Sequence, residues 1–318
     1  MQFKPNLVSK TAVYIDEPLG NYGFGPSHPF SNDRLPAFCK AFYAKKLDCQ
    51  VRLRKAVMAT IEQVARFHSM AYIEKIKAQS AIGEGFLDYG DTPAFKGVFE
   101  ASLYVVGSAL DALEQIIRGH FQQAFLPIGG LHHAYPHRAS GFCVFNDCSI
   151  VIKSLRQEYG VKKVAYIDID VHHGDGVFYA FEDDPDLIFA DIHQAGIFPG
   201  SGEPFERGTG AAAGHKINIT MPAGATDAMF FEVWQQVESL LEAEKPEFIL
   251  MQAGADCLKG DPLASLCYTE NMHGHVTARL KHYANKYAQG RLMAFGGGGY
   301  NLQNISKAWI AVVENLLN

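Results

Sequence analysis

An α/β architecture, a central parallel β-sheet flanked by helices, is what this sequence predicts. Three observations carry it. From about residue 98 onward, short apolar runs alternate with stretches of helical periodicity, as in consecutive βαβ units. The runs VAYI and FILM are continuously apolar rather than alternating, as expected of strands buried on both faces. Four runs end in polar clusters, and open α/β sheets bind ligands beyond the carboxyl ends of their strands.

Residues 15–36, IDEPLGNYGFGPSHPFSNDRLP, are rich in Pro, Gly and Asn and lack periodicity. Tyr22, Phe24 and Phe30 argue against disorder, so an ordered surface loop is expected. VFEASLYVVGSALDALEQIIRG sets Val98, Ala101, Val105, Ala109, Ala112 and Ile116 at helical spacing and stops at Gly119. FQQAFLPIGG reads as a short strand. Asn146 and Asp147 can cap a helix through Ile150 and Leu155 that stops at Gly160. KKVAYIDIDV and DLIFADIH are strand-like. MFFEVWQQVESLLEAEKP is an amphipathic helix ended by Pro246, and EFILMQAGAD follows as a strand. A helix over 270–288, a strand in RLMAFGGGGY and a helix in NISKAWIAVVENLLN complete the chain. No linker, composition break or repeat appears, so one domain over 1–318 is expected.

The 318 residues are 48% apolar and 19% charged, enough for a sizeable core. Net charge is −6 and no run of five Lys/Arg appears, so no nucleic-acid partner is expected. No apolar run reaches the ~18 residues of a membrane span, and MQFKPNLVSK lacks a hydrophobic signal core. A soluble, cytoplasmic protein is expected. The six cysteines form no CxxC pair and read as reduced thiols.

The chemistry concentrates in DIDVHHGDG, residues 168–176, directly after VAYI. If strand geometry persists, Asp168, Asp170 and His172 project to one side. A D-x-H pair supplies a carboxylate oxygen and an imidazole nitrogen to a metal, and a catalytic site adds a third ligand and an open position. Asp256, ending EFILMQAGAD, is the best third candidate. The competing reading, solvated turn carboxylates and hydrogen-bonding histidines, must bury several charges beside a strand, which is costly unless they are paired or hold metal. His132 and His133 follow GGL. They are either surface residues or an acid–base pair, each oriented by a carboxylate, with Asp168 and Asp175 available. Gly296 to Gly299 lead to Tyr300, a tight turn or a close backbone approach to a ligand.

In order, GLHH (130–133), GFCVFND (141–147), DIDVHHGDG (168–176), IFPGSG (197–202), GADCLKGDPL (254–263) and GGGGY (296–300) resemble the motifs of the histone deacetylase superfamily. That superfamily includes bacterial acetoin-utilisation-type deacetylases and acetylpolyamine amidohydrolases. The resemblance runs from about residue 20 to 318. It implies the arginase/deacetylase fold, with loops building an active-site tunnel over a metal, and removal of acetyl from an acetylated amine. By motif it implies that Asp170, His172 and Asp256 hold Zn²⁺, with Fe²⁺ as the alternative. It implies that His132 and His133 are the tandem catalytic histidines, His133 the general base and acid. Asp168 would orient His132, and Asp175 would orient His133. Tyr300 would bond the substrate carbonyl. Gly141, Phe142, Phe198 and Leu263 would line the tunnel, Asp91 would grip substrate at the rim, and Arg34 would stand by an internal acetate pocket.

One departure is Asp191, where family members often carry Ser near a structural K⁺ site. Position 258 is Leu, not a second carboxylate, which favours one metal. The substrate is either N-acetyl-lysine of a protein or peptide, favoured by the apolar Leu263, or an acetylpolyamine, favoured by Asp16, Glu17, Asp88 and Asp91. A homo-oligomer is compatible with all of this. A non-catalytic binding protein on the same fold would be expected to lose a ligand, a histidine or the tyrosine, and none is missing. His173 has no role here beyond packing or a hydrogen bond.

Overall fold

The computed structural model describes residues 9–318, so the signal-free reading of the first ten residues falls mostly outside that range. Among the described residues, eight parallel strands form one sheet: β1 (Thr11–Tyr14), β2 (Arg52–Arg54), β3 (Gln123–Leu126), β4 (Val164–Asp168), β5 (Leu187–Gln194), β6 (Lys216–Met221), β7 (Phe248–Gln252) and β8 (Leu292–Phe295). Their order is β2-β1-β3-β8-β7-β4-β5-β6. Every residue of β1, β3, β4, β5, β7 and β8 is buried. That accounts for the continuous apolar runs VAYI and FILM in β4 and β7.

The helices are α1 (Glu17–Gly20), α2 (Arg34–Ala44), α3 (Ile61–Val64), α4 (Met70–Ile82), α5 (Val98–Ile117), α6 (Asp147–Tyr159), α7 (Asp175–Ala180), α8 (Asp227–Glu244), α9 (Glu270–Tyr287) and α10 (Leu302–Leu317). Helices α2, α8, α9 and α10 pack in one group, and α4, α5 and α6 in another. The caps follow the sequence signals. Asn146 accepts from the Ser149 N–H at 2.8 Å to start α6, and Gly160 ends it at φ +66.

Three expectations need correction. Residues 15–36 are not one surface loop. Asp16 caps α1, Pro18 sits in its first turn, and α2 begins at Arg34. Tyr22 and Phe30 are buried. Secondly, strand geometry does not persist to His172. β4 ends at Asp168 and the chain turns there, with the Asp170 N–H donating to Asp168 Oδ1 at 3.0 Å. Asp168 therefore stands apart from Asp170 and His172. Thirdly, β1, β2 and β6 have no counterpart in the sequence reading.

Candidate active site

The four strand ends that carry polar clusters, β3, β8, β7 and β4, are consecutive neighbours in the sheet. Residues far apart in sequence therefore meet. His172 Nδ1 lies 3.2 Å from Asp170 Oδ1 and 3.2 Å from Asp256 Oδ2. All three residues are buried, and their ligand atoms lie within 4.8 Å of one another. Asp170 Oδ2 is turned away, accepting from Gln252 Nε2 at 2.7 Å and the Gly298 N–H at 2.8 Å. A Cβ at position 298 would stand 2.2 Å from Asp256 Oδ2, so this backbone approach requires glycine.

This donor set fits a divalent cation. Asp256 Oδ2 is buried without a hydrogen-bond partner. Burial by itself lowers the His172 pKa, yet Asp170 and Asp256 reverse this and hold it up to about 10. The site thus favours a positive charge among its carboxylates. Two carboxylates and one imidazole with an open side are a set that catalytic zinc accepts. Among the described residues, no other trio of His, Cys, Asp or Glu converges in this way.

The tandem histidines face this cluster. His132 Nδ1 lies 2.8 Å from Asp168 Oδ2, and His133 Nδ1 lies 2.7 Å from Asp175 Oδ1. In each case the carboxylate takes the Nδ1 hydrogen and leaves Nε2 free to accept a proton. Tyr166 OH donates to Asp168 Oδ2 at 2.8 Å. Burial drives the Asp168 pKa well up, with the Asp191 and Asp170 charges adding to it. Burial, helped by His132 and opposed by Asp175, pushes His133 down to about 4, so its imidazole is neutral near pH 7.

A cavity of about 210 Å³ leads to these groups. Asp91, His133, Gly141, Phe142, His172, Ile197, Phe198, Leu263 and Tyr300 line it. Every tunnel and rim residue expected from sequence is in that set; Ile197 is an addition. Phe198 stands T-shaped to His133, with ring centroids 5.1 Å apart. A Cβ on Gly141 would meet His133 Cδ2 at 2.6 Å, so only glycine lets the wall close on that ring. Tyr300 is half-buried, its backbone N–H held by Asp261 Oδ2 at 2.8 Å. Burial raises its hydroxyl pKa well above the usual value, which keeps the O–H available as a donor. A larger groove of about 640 Å³ lies between α2, α9 and α10, remote from this chemistry.

Arg34 is buried close to the Asp170–His172–Asp256 cluster. Its Nε donates to the Gly299 carbonyl at 3.0 Å and its Nη2 to that of Gly297, while Nη1 has no partner. Asp191 lies beside Asp168 in register and accepts from the Gly174 N–H at 2.8 Å and from His193 Nδ1 at 2.7 Å. His173, unassigned from sequence, is buried with Nδ1 2.9 Å from Ser201 Oγ. It braces the loop that carries Phe198. Asp16 and Asp88 are engaged in holding backbone. Asp16 accepts from Glu17 and Ala56 N–H groups, and Asp88 Oδ1 from those of Gly90, Asp91 and Thr92.

Sequence reasoning missed four supports: Gln252, Tyr166, Tyr135 and the second role of Asp147. Tyr135 OH donates to Asp175 Oδ2 at 2.9 Å. Asp147 accepts from the Gly130 and Leu131 N–H groups at 2.9 and 2.7 Å, fixing the loop before His132. Its place inside GFCVFND was the available signal.

A parallel α/β sheet whose strand ends bring together an Asp-His-Asp cluster that could hold a metal ion and two His–Asp pairs is the arrangement of a hydrolytic site. The chain belongs to the histone deacetylase family, whose histone deacetylase domain matches residues 28–316. It is a hydrolytic deacetylase. It is 33% identical over 315 residues to the acetoin utilization protein AcuC of Bacillus subtilis (strain 168), covering 95% of this chain and 81% of that one. It is 34% identical over 321 residues to AcuC of Staphylococcus aureus (strain MSSA476), covering 98% and 82%. The crystal structure of the HDA15 HD domain superposes with a TM-score of 0.88 at 26% identity, covering 98% of this chain and 90% of that one. No helix among the described residues is long and apolar enough to cross a membrane.

Proposed function

We propose that this deacetylase hydrolyses the acetyl amide of N-acetyl-lysine in a protein or peptide, within a single domain, with Asp170, His172 and Asp256 holding a Zn²⁺ or Fe²⁺ ion. The observation that carries this is the His133–Asp175 pair beside the Asp-His-Asp cluster at the end of an aromatic-walled tunnel. Bound there, the ion would supply Lewis acidity to water and to the amide carbonyl. His133 Nε2 takes the proton from the attacking water and returns it to the leaving amine nitrogen. Asp175 holds that imidazole through Nδ1 and stabilises its transient charge. His132, oriented by Asp168, assists on the same side. The Tyr300 O–H donates to the oxygen as negative charge develops on it. Phe142 and Phe198 exclude water from the lysine chain, and Asp91 accepts from substrate N–H groups at the mouth. Arg34, with Nη1 unpaired, receives the acetate. A structural K⁺ bound by Asp168 and backbone carbonyls belongs to the same reading, with Asp191 adding a carboxylate beside it.

The runner-up substrate is an acetylpolyamine. Asp91 supports it, since a rim carboxylate can pair with a distal ammonium. Against it, Asp16 and Asp88 are committed to backbone N–H groups, and Leu263 presents an apolar rim. The test is kcat/KM of metal-defined enzyme on an acetyl-lysine peptide, acetylputrescine and acetylcadaverine. The peptide is expected to be preferred. A diamine preference above about tenfold, some 1.4 kcal/mol of transition-state discrimination, overturns the assignment.

A further inference from the structure

The rim segment Asp88–Thr92 is shaped from within. Asp88 Oδ1 accepts from the N–H groups of Gly90, Asp91 and Thr92 at 3.0, 3.1 and 2.9 Å, and Thr92 Oγ1 donates to Asp88 Oδ2. Its attachment to the tunnel is a separate matter. The Phe142 N–H donates to Thr92 Oγ1 at 3.0 Å, and His28 Nε2 lies 3.1 Å from the Asp91 carbonyl oxygen.

The surroundings of His28 fix its tautomer. The Phe30 N–H donates to His28 Nδ1 at 3.1 Å, so Nδ1 is the acceptor and Nε2 carries the hydrogen given to Asp91. The same ring stands edge-on to Phe142, with centroids 4.6 Å apart at 81°, and tilts onto Phe24 at 4.9 Å. Phe142 sits at φ +66. A bulky residue there is strained and stays only where its neighbours over-determine it. His28 is thus joined to both the tunnel wall and the rim, yet it is not among the residues lining the tunnel cavity.

We propose that His28 is a positioning residue for substrate selection: it fixes the Asp91 rim against the Phe142 wall, so that Asp91 meets the groups flanking the acetylated side chain in a preset position. This rests on the acetyl-lysine reading above. A substrate that only fills the tunnel does not use that position. One that continues across the rim does.

The test compares the metal-loaded full chain with His28→Ala and His28→Gln, the Gln amide keeping a donor near the Nε2 position. The substrates are a short N-acetyl-lysine reporter with small blocking groups and an acetyl-lysine peptide extended on both sides. His28→Ala is expected to raise KM for the peptide about tenfold, with kcat within about twofold and the reporter little changed, and His28→Gln to recover most of the loss. Amide hydrogen exchange over residues 88–92 is expected to speed up about tenfold in His28→Ala and to return toward wild type in His28→Gln. Equal losses on both substrates, or an unchanged peptide KM, overturn the proposal. Wild-type inactivity on both substrates overturns the acetyl-lysine assignment instead; exchange then decides, and unchanged protection at 88–92 overturns the role of His28.

Discussion

Asp175 holds His133 from behind: Oδ1 of the carboxylate is 2.7 Å from His133 Nδ1, while Oδ2 is engaged by Tyr135 OH at 2.9 Å. Neither oxygen is left to rotate, so the imidazole presents Nε2 to the tunnel in one orientation. His133→Ala is expected to lower kcat by about 10²–10⁴ with a smaller effect on KM. Asp175→Asn, which keeps the shape but not the charge, should fall in the same direction. Steady-state kinetics on an acetyl-lysine peptide checks both, and unaffected turnover in His133→Ala sinks the mechanism.

In the proposed mechanism Tyr300 acts only as charge develops on the carbonyl oxygen. Tyr300→Phe removes one O–H and leaves the ring in its place against Phe142, 5.8 Å between centroids. Loss of one such donor typically costs about 10²–10³ in kcat. Binding of an uncleaved acetyl-lysine analogue should change far less. An equal loss of both would mark Tyr300 as a packing residue.

Asp91 titrates in the working range. Burial and then the neighbouring Asp88 carboxyl push it up to about 7. Its carboxylate, the form that would accept from substrate N–H groups in the proposed function, is therefore present above about pH 7 and lost as pH falls through that value. KM for an extended peptide should rise on acidification across this range. In Asp88→Asn the transition should move to lower pH, because a charge that opposes ionisation is gone. A KM–pH profile that is identical in Asp88→Asn and wild type would refute this coupling.

The buried carboxylates Asp170 and Asp256 face one another across His172. A cation bound there stabilises the folded chain by mass action, about 2.7 kcal/mol at a free concentration 100-fold above Kd. Chelation is expected to abolish turnover and to lower Tm by several degrees, with Zn²⁺ or Fe²⁺ restoring both. Asp256→Asn should flatten the metal-dependent shift in a thermal melt. A Tm indifferent to added metal in chelated wild-type protein would show that the cluster is not a cation site.

The expected site residues come together at one place, because metal ligation and proton transfer demand rare side chains at strand ends, where composition makes them visible. The geometry behind that reading was partly wrong. Asp168, Asp170 and His172 are not three positions of one extended strand, since β4 stops at Asp168. The supports escaped notice for a physical reason. Gln252 is one polar residue at the end of an apolar strand, and its bonds to Asp170 and the Gly130 carbonyl exist only once β7 lies beside β4 and β8. The missed strands fail on pattern. β2 has three residues and β6 lies at the other edge, where pairing rather than apolar content decides the structure. The loop at 15–36 misled because its caps are local while its aromatic burial depends on Phe142 and Tyr300, far along the chain.

The last strand of the chain occupies the middle of the sheet. Until β8 arrives, β2-β1-β3 and β7-β4-β5-β6 are two half-sheets, each with an unpaired inner edge. His132 and His133 ride on one half, the Asp170–His172–Asp256 cluster on the other. The Arg34 bonds to Gly297 and Gly299, spanning 263 and 265 residues, close only after that insertion. Pairings this distant in sequence form slowly, and exposed strand edges invite association with other chains. One insertion therefore does two things at once: it pairs both inner edges and brings the two halves of the site together.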